Sequence, residues 1–329
     1  MLRPSAVLLT AILSLGAAHA AEVTPAIVFD MGGKFDKSFN EAVHDGAEAF
    51  TKATGIAVRE YEPQTDAQRE QAIRNFARRG QDPIIAVSFS QATAVKAVAA
   101  EFPALHFVII DTVVDAPNVQ SILFREEQGS YLAGMLAALR SGTGKIGFVG
   151  GMDVPLIRKF ACGYVQGARA VNPKVEVLQN MTGSTPSAWA DPVRGAELAR
   201  SQIERGADVV FHAAGATGTG VLQAAADAGK YGIGVDSNQN ALHPGRVLTS
   251  MVKELNVATR TTLDAARAGT WKPGTLVLGL AENGLGLAFD ANNAPAVTAE
   301  MRSRIDAARA DIVAGRITVH DYTSDNACL

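Results

Sequence analysis

The chain has 329 residues, which is more than one ordinary core holds and suits two domains of roughly 100–200 residues each. Lysine and arginine number 30 against 33 acidic residues, and the formal net charge of −3 excludes a broad electrostatic attraction to nucleic acid or anionic lipid. A nucleic-acid partner is therefore not expected.

The first twenty residues, 1–20, have the pattern of a secretory signal peptide. Arg3 supplies a positive charge, the apolar stretch AVLLTAILSLGAA follows, and an A-x-A cleavage site precedes Ala21. The apolar stretch is short for a membrane span, and no cysteine near the cleavage site offers a lipid anchor. The sequence predicts a soluble protein that is exported to the periplasm.

Short apolar runs alternate with helical patterns along the rest of the chain, which is typical of β-α units around parallel sheets. Five runs come before the helical stretch EEQGSYLAGMLAALR: PAIVF, IAVRE, PIIAVS, HFVII and VQSILF. Five more come after it: KIGFVG, KVEVLQN, ADVVFHAAG, YGIGV and RVLTSMV. The pattern predicts two parallel sheets in two α/β lobes.

The stretch DMGGKFDKSFNEAVHDG joins the first predicted strand to the first helix. It lies at the carboxyl edge of a parallel sheet, where open α/β folds bind their ligands. Its glycines do not fit GxGxxG or GxxxxGKS, so a nucleotide-phosphate site is not predicted. Ser38 and Glu41 have the spacing of a capping box, so Ser38 is expected to cap the helix. Taken alone, Phe39 fits core packing.

Polar turns follow other predicted strands at the same edge. Asp111 follows HFVII, Gly215 lies in HAAGATGTG, and Asp236 follows YGIGV. Each is an ordinary turn or cap residue by itself, but several at one edge indicate a ligand site. Trp189 lies in the polar stretch GSTPSAWADP, where its ring either covers the edge of a lobe or faces a ligand.

Catalysis is the competing function, and it would require a catalytic or metal-binding motif in the sequence. The histidines lack metal-ligand spacing such as HExxH, and no GxSxG elbow places a nucleophilic serine. His212 is the best acid–base candidate because it lies beside a predicted ligand loop. We expect no enzymatic activity, no metal site and no cofactor.

Cys162 and Cys328 are the two cysteines of the chain. An oxidising compartment allows them to form one disulfide bridge. Two unpaired buried thiols are the alternative, and the sequence leaves both open.

Eight stretches, taken in order, resemble the basic membrane protein family of ABC-transporter substrate-binding proteins. They are DMGGKFDKSFNEA, IIDT, FREEQGSYLAG, KIGFVGGMDVP, GSTPSAWADP, ADVVFHAAGATGTG, GIGVDSN and LTSMVKEL. The best-defined members of that family are purine-nucleoside receptors. The resemblance implies an α/β type I periplasmic-binding-protein fold, with two lobes of helix-flanked parallel sheets around a cleft. Approximate boundaries are 21–124 plus 251–280 for lobe 1, and 125–250 plus 281–329 for lobe 2.

The resemblance also implies how a purine nucleoside would be held between the lobes. Asp30 and Ser38 would meet polar edges of the base, and Phe39 and Trp189 would stack on its two faces. Four residues would surround the sugar: Asp111, Gly215, Asp236 and Lys253. An isolated lysine in MVKEL also fits a surface charge, and Asp236 also fits a helix cap.

The function implied by the resemblance is the capture of adenosine, guanosine or inosine for uptake through an ABC permease, by a monomer whose lobes close around the ligand. Two other classes stay open: a hydrolase that acts on nucleosides, and a sensing module that binds another small planar or sugar-like solute. The family often has Phe at the position of Trp189, so the sequence does not fix the preferred base. The sequence also does not determine whether the sugar is ribose or deoxyribose.

Overall fold

Two six-stranded sheets, each flanked by helices, form the two lobes of the protein. A computed structural model describes residues 23–328, so the predicted signal peptide lies outside the described residues. Between residues 23 and 328, no helix is long and apolar enough to cross a membrane.

The bounds of the elements follow in chain order. The strands are β1 (Ala26–Val28), β2 (Arg59–Tyr61), β3 (Ile84–Ala86), β4 (Phe107–Ile110), β5 (Val119–Phe124), β6 (Lys145–Met152), β7 (Glu176–Gly183), β8 (Val209–Ala213), β9 (Tyr231–Asp236), β10 (Val247–Lys253), β11 (Gly274–Leu278) and β12 (Leu285–Leu287). The helices are α1 (Phe39–Thr54), α2 (Asp66–Arg78), α3 (Ala92–Glu101), α4 (Glu126–Arg140), α5 (Pro155–Val171), α6 (Pro192–Glu204), α7 (Thr217–Asp227), α8 (Leu255–Arg267) and α9 (Ala299–Val313).

Both sheets have the order expected when helices connect parallel strands. The first sheet runs β11-β5-β4-β3-β1-β2 and is parallel throughout. The second runs β12-β10-β9-β8-β6-β7 and is parallel except for β12, which pairs antiparallel with β10. Strands β1, β3, β4 and β8 are buried along their whole length, because helices cover both faces of each sheet. Every strand predicted from the sequence is present, and β11 and β12 are additional.

The chain passes between the lobes at three places. The first is Arg125, which separates β5 in the first sheet from α4, a helix that packs on α5 and α9. The second is Glu254, between β10 in the second sheet and α8, which packs on α1. The third lies between Leu278 and Leu285. Strand β10 thus places residues 251–253 in lobe 2, three residues from the boundary predicted by the sequence.

A disulfide bond joins Cys162 on α5 to Cys328, and the two Cα atoms are 5.3 Å apart. The Nε2 atom of Gln166 donates to the carbonyl of His320 at 3.0 Å, and the backbone N–H of His320 donates back to Gln166 Oε1 at 2.9 Å. The segment that carries Cys328 therefore lies along α5, inside lobe 2. A bridge at this place leaves the two lobes free to move relative to one another.

We expect both cysteines to resist alkylation in the protein purified from an oxidising compartment. The bridge would consume both thiols, so denaturation without reductant should expose none. Intact mass after treatment with iodoacetamide should stay unchanged without reductant and rise by two labels after reduction. Two labels without reductant would show that the bridge is absent.

Candidate functional site

A cleft between the lobes is lined by the carboxyl edges of both sheets. Its empty volume is about 540 Å³ when the part open to solvent is included. Seven residues predicted from the sequence contribute to its wall: Asp30, Phe39, Asp111, Trp189, Gly215, Asp236 and Lys253. The wall therefore draws on both lobes.

Ser38 lies behind the wall, and its hydroxyl does not cap α1. The Ser38 Oγ atom donates to Asp236 Oδ2 on the opposite lobe at 2.9 Å. The carboxylate of Asp36 takes the capping role and accepts from the backbone N–H groups of Ser38, Asn40 and Glu41 at 2.8, 3.0 and 3.1 Å. Ser38 occupies the N-cap position of α1 as predicted, but its hydroxyl does not form the capping-box hydrogen bond. Asp36 already satisfies these donors, which leaves the serine hydroxyl free to reach across the cleft.

Asp30 stands at the carboxyl end of β1 and is held by two side chains that the sequence did not point to. Arg69 Nη2 donates to Asp30 Oδ1 at 2.7 Å, and Ser90 Oγ donates to the same oxygen at 3.1 Å. The side chains of Arg69 and Asp30 are 5% and 9% exposed, so the ion pair is nearly removed from water. Both bonds use Oδ1, and the charge of Asp30 is balanced from within lobe 1.

Lys253 is buried at the end of β10 and joins both lobes by charge. Its Nζ atom lies 2.8 Å from both carboxylate oxygens of Asp111 and 3.0 Å from Glu126 Oε1. The same atom lies 4.7 Å from the ring centre of Phe124 and 5.2 Å from that of Phe39. Burial lowers the lysine pKa, but the surrounding carboxylates outweigh burial and raise it. Lys253 therefore stays charged, with two carboxylates and two aromatic rings around it.

Two aspartates of the wall share an uncommon backbone conformation. Asp111 has φ +67° and Asp236 has φ +62°, in the left-handed region that residues other than glycine seldom adopt. Ser88, which also lines the cleft, has φ +96°. Burial raises the pKa of Asp111 and of Asp236 to about 6, against the lowering effect of Lys253. Strained residues with shifted pKa values at one edge are typical of a functional site.

Trp189 is placed on the wall by a firmly anchored loop. The carbonyl of Ala188 accepts hydrogen bonds from Thr182 Oγ1 at 3.0 Å and from Thr217 Oγ1 at 2.8 Å. Gly215 has φ +56°, and a Cβ at that position would lie 3.4 Å from the carbonyl oxygen of Trp189. The turn at Gly215 therefore favours glycine because of its backbone angle, whereas a Cβ there would make only an ordinary contact with the loop.

Sequence reasoning missed the apolar part of the wall. The apolar residues that line the cleft beside the predicted ones include Met31, Phe89, Leu156, Ile157 and Phe160. The last three lie in the first turns of α5, directly after β6. These residues follow the ends of β1, β3 and β6, so the position after a strand that indicated Asp111 and Asp236 is also a signal for them.

His212 lies in the interior of lobe 2 and does not contribute to the wall of the cleft. Its Nε2 atom is 2.9 Å from Gln239 Oε1, and burial lowers its pKa to about 4, so the ring is neutral at physiological pH. Gln239 Nε2 in turn donates to the carbonyl of Lys37 on lobe 1 at 2.9 Å. His212 thus orients an amide that bridges the lobes. Among residues 23–328, no group of three or more His, Cys, Asp and Glu side chains is arranged to hold a metal ion.

Comparison with known proteins identifies the family. The model of the Bmp family, described as ABC transporter substrate-binding protein PnrA-like, matches residues 23–323. The chain belongs to the Bmp family.

Relatives of this Bmp protein include two curated sequences and a solved structure. The CD4+ T-cell-stimulating antigen of Listeria monocytogenes is 31% identical over 323 residues, covering 91% of this chain and 88% of the relative. The ABC transporter nucleoside-binding protein BmpA of Lactococcus lactis is 31% identical over 320 residues, covering 91% and 89%. An ABC transporter solute-binding protein of Aeropyrum pernix has a TM-score of 0.83 at 26% identity, covering 91% and 93%.

Membership of the Bmp family confirms the resemblance found in the sequence. The two lobes with parallel sheets also agree with the solved solute-binding proteins. The protein is therefore a substrate-binding component of an ABC transporter, and its family is a class of extracytoplasmic solute-binding proteins.

We expect Lys253→Met to lower the free energy of unfolding by about 3–5 kcal/mol at pH 7.5, because it leaves buried carboxylates without their counter-ion. The loss should shrink at pH 5, since Asp111 and Asp236 have pKa values near 6 and take up protons there. Denaturant unfolding at both pH values measures the effect.

Lys145→Met is the matched control for that substitution. Lys145 pairs with Glu176 at 2.9 Å, but the two side chains are 41% and 49% exposed. Its removal should cost less than about 1 kcal/mol at either pH. Equal and small losses for the two variants would contradict the role given to Lys253.

Proposed function

We propose that the protein binds a purine nucleoside in the cleft and delivers it to an ABC permease from the periplasm. The observation that carries the proposal is that each lobe contributes an aromatic side chain to one cleft, Phe39 from lobe 1 and Trp189 from lobe 2, together with buried carboxylates. The Lactococcus lactis relative is named as a nucleoside-binding protein, which supports the same ligand class.

The base is assigned to the aromatic part of the cleft. A purine is planar and apolar on both faces, and stacking on an aromatic ring contributes about 1–3 kcal/mol per base in nucleic-acid complexes. The edge of the base carries N–H groups, which need acceptors when they are buried. Asp30 supplies one, because Arg69 and Ser90 occupy only Oδ1 and hold the carboxylate in place.

The sugar is assigned to the acidic end of the cleft. Ribose hydroxyls donate well to carboxylates, and Asp111 and Asp236 approach this end from opposite lobes. Lys253 keeps Asp111 ionised, and Ser38 orients Asp236 through its hydroxyl. Ser38 therefore acts on the sugar end through Asp236, which differs from the base contact that the resemblance implied.

Closure of the lobes follows from a ligand that bridges them. The cleft side of lobe 1 and that of lobe 2 meet at few places, so a nucleoside that contacts both stabilises the closed form that a permease recognises. Binding rather than bond chemistry is the output, since the best acid–base candidate, His212, is buried away from the wall. We propose that the protein acts as a monomer with one site per chain.

We expect Phe39→Ala and Trp189→Ala each to weaken nucleoside binding by about 1–3 kcal/mol, roughly a factor of ten to a hundred or more, through loss of stacking. Calorimetry with adenosine, guanosine and inosine measures this, on protein unfolded and refolded to remove any endogenous ligand.

Phe35→Ala provides the control for these two substitutions. Phe35 lies in the loop just before Phe39 but is 63% exposed and is not part of the wall, so affinity should stay unchanged. Near-normal affinity in folded Phe39→Ala and Trp189→Ala would reject the stacking arrangement. Failure of the original protein to bind any purine nucleoside would reject the proposed function.

Nucleoside affinity should also depend on pH. The carboxyl groups of Asp111 and Asp236 have pKa values of about 6, and they accept hydroxyl hydrogen bonds more strongly when they are ionised. Protons therefore compete with the sugar, and affinity should be level above about pH 7 and fall as the pH drops below 6. Titration with inosine between pH 5 and 7.5 tests this, and Asp236→Asn should bind more weakly at pH 7.5 with a shallower profile. A flat profile for the original protein would contradict the assignment of the sugar.

A further inference from the structure

The indole of Trp189 occupies the space into which a side chain at position 151 would project. A Cβ atom on Gly151 would lie 2.8 Å from Cη2 of the indole and closer still to Cε3 and Cζ3. All three atoms belong to the six-membered ring. Gly151 does not have a positive φ, so the backbone conformation does not demand glycine there. The position of the ring demands it.

The neighbouring glycine shows that this contact belongs to one face of the strand. Successive residues of β6 point to opposite faces of the sheet. A Cβ on Gly150 would meet Met181 on β7 and Ile157 on α5, whereas Gly151 faces the loop of Trp189. The two glycines in KIGFVGGMDVP therefore allow close contacts on opposite faces of β6.

The loop that carries Trp189 has little freedom to retreat from a larger residue 151. Its carbonyl at Ala188 is held by two threonine hydroxyls, and the backbone N–H of Asp191 donates to Thr217 Oγ1 at 2.7 Å. Gly215 packs against the carbonyl of Trp189 from another side. A clash at position 151 is therefore relieved by rotation of the indole rather than by movement of the loop.

We propose that Gly151 is a positioning residue for ligand binding, which seats the indole of Trp189 against β6 and so sets the place of one aromatic wall of the cleft. The proposal rests on the proposed function for its effect on nucleosides. A side chain at position 151 turns the indole from its seat and misplaces the surface on which the base stacks. A phenyl group at position 189 lacks the outer ring atoms that meet residue 151, so it tolerates alanine there.

A double-mutant cycle tests the coupling of the two residues. Gly151→Ala is expected to weaken inosine binding about tenfold or more when Trp189 is present. In the Trp189→Phe background the same substitution should change affinity less than about threefold. Calorimetry on ligand-stripped protein gives the four affinities, and denaturant unfolding checks that each variant is folded. Equal fold-changes in the two backgrounds would overturn the proposal.

Gly183→Ala is the matched control. Gly183 ends the adjacent strand, and its Cβ would lie 3.5 Å from the Cβ of Ala188, an ordinary contact with the same loop but not with the ring. Its affinity for inosine should match that of the original protein. A loss as large as that of Gly151→Ala would show that general disturbance of the loop, and not the seat of the indole, sets affinity.

Fluorescence supplies a readout that needs no ligand. Trp189 and Trp271 are the two tryptophans of the sequence, so Trp271→Phe leaves Trp189 as the sole indole reporter. In that background Gly151→Ala should shift emission to the red and increase quenching by acrylamide, whereas Gly183→Ala should do neither. An unchanged emission would overturn the proposal. If the red shift is seen but the protein binds no nucleoside, the contact between Gly151 and Trp189 is supported and the proposed function is rejected.

The double variant also covers the case in which Gly151→Ala alone does not fold. Removal of the indole relieves the clash, so Gly151→Ala combined with Trp189→Phe should fold with an unfolding midpoint near that of Trp189→Phe. Rescue of this kind supports the contact. Failure of both variants to fold would overturn it, because the defect would then lie elsewhere than in the ring.

Discussion

The buried charge of Lys253 is the constraint on which the rest of the cleft depends. An ammonium group removed from water is costly unless carboxylates surround it, and here they come from a turn of lobe 1, from the first crossing and from the end of β9 in lobe 2. The lysine itself ends β10, just before the second crossing. One ion network therefore fixes the place where the chain changes lobes and also the acidic end of the ligand cleft.

That network extends away from the cleft into the support of lobe 2. Lys159 on α5 lies 3.0 Å from Glu126 and 3.2 Å from Glu127, and its Nζ atom donates to the carbonyl of Phe124 at 2.9 Å. Helix α5 approaches α4 closely because glycine stands at the contact: a Cβ on Gly163 would lie 2.5 Å from the carbonyl oxygen of Glu127. The first turns of α5 supply the apolar wall of the cleft. The close packing of α5 on α4 therefore also determines the position of that wall.

Much of the site could be predicted from the sequence because parallel strands end at a common edge. That rule alone brings Asp30, Asp111 and Asp236 together, and each does line the cleft. The hydrogen-bond partners of these residues could not be predicted from the sequence. Ser38 donates to a carboxylate 198 positions away, and Arg69 contacts Asp30 from a helix whose sequence pattern gives no sign of that contact. The edge strands β11 and β12 were missed for a related reason: they are short, and β11 is mostly exposed, so neither has the buried apolar run that marked the others.

Apart from the Lys253–Asp111 ion pair beside the second crossing, the contacts that join the cleft sides of the lobes are a few hydrogen bonds. Their strength determines how ligand binding and lobe closure are linked. Ser237 Oγ donates to the carbonyl of Ser38 at 2.8 Å, and the bonds from Ser38 and Gln239 lie beside it, all at the start of α1. Hydrogen bonds contribute about 0.5–1.5 kcal/mol each, so these bonds by themselves do not hold the lobes closed by a large margin. A ligand that contacts both lobes adds several kcal/mol of binding free energy, which is gained only when the lobes are closed. Under the proposed function, the position of the lobes would follow the occupancy of the cleft, because a ligand shifts the populations of two states only through a difference in its contacts with them.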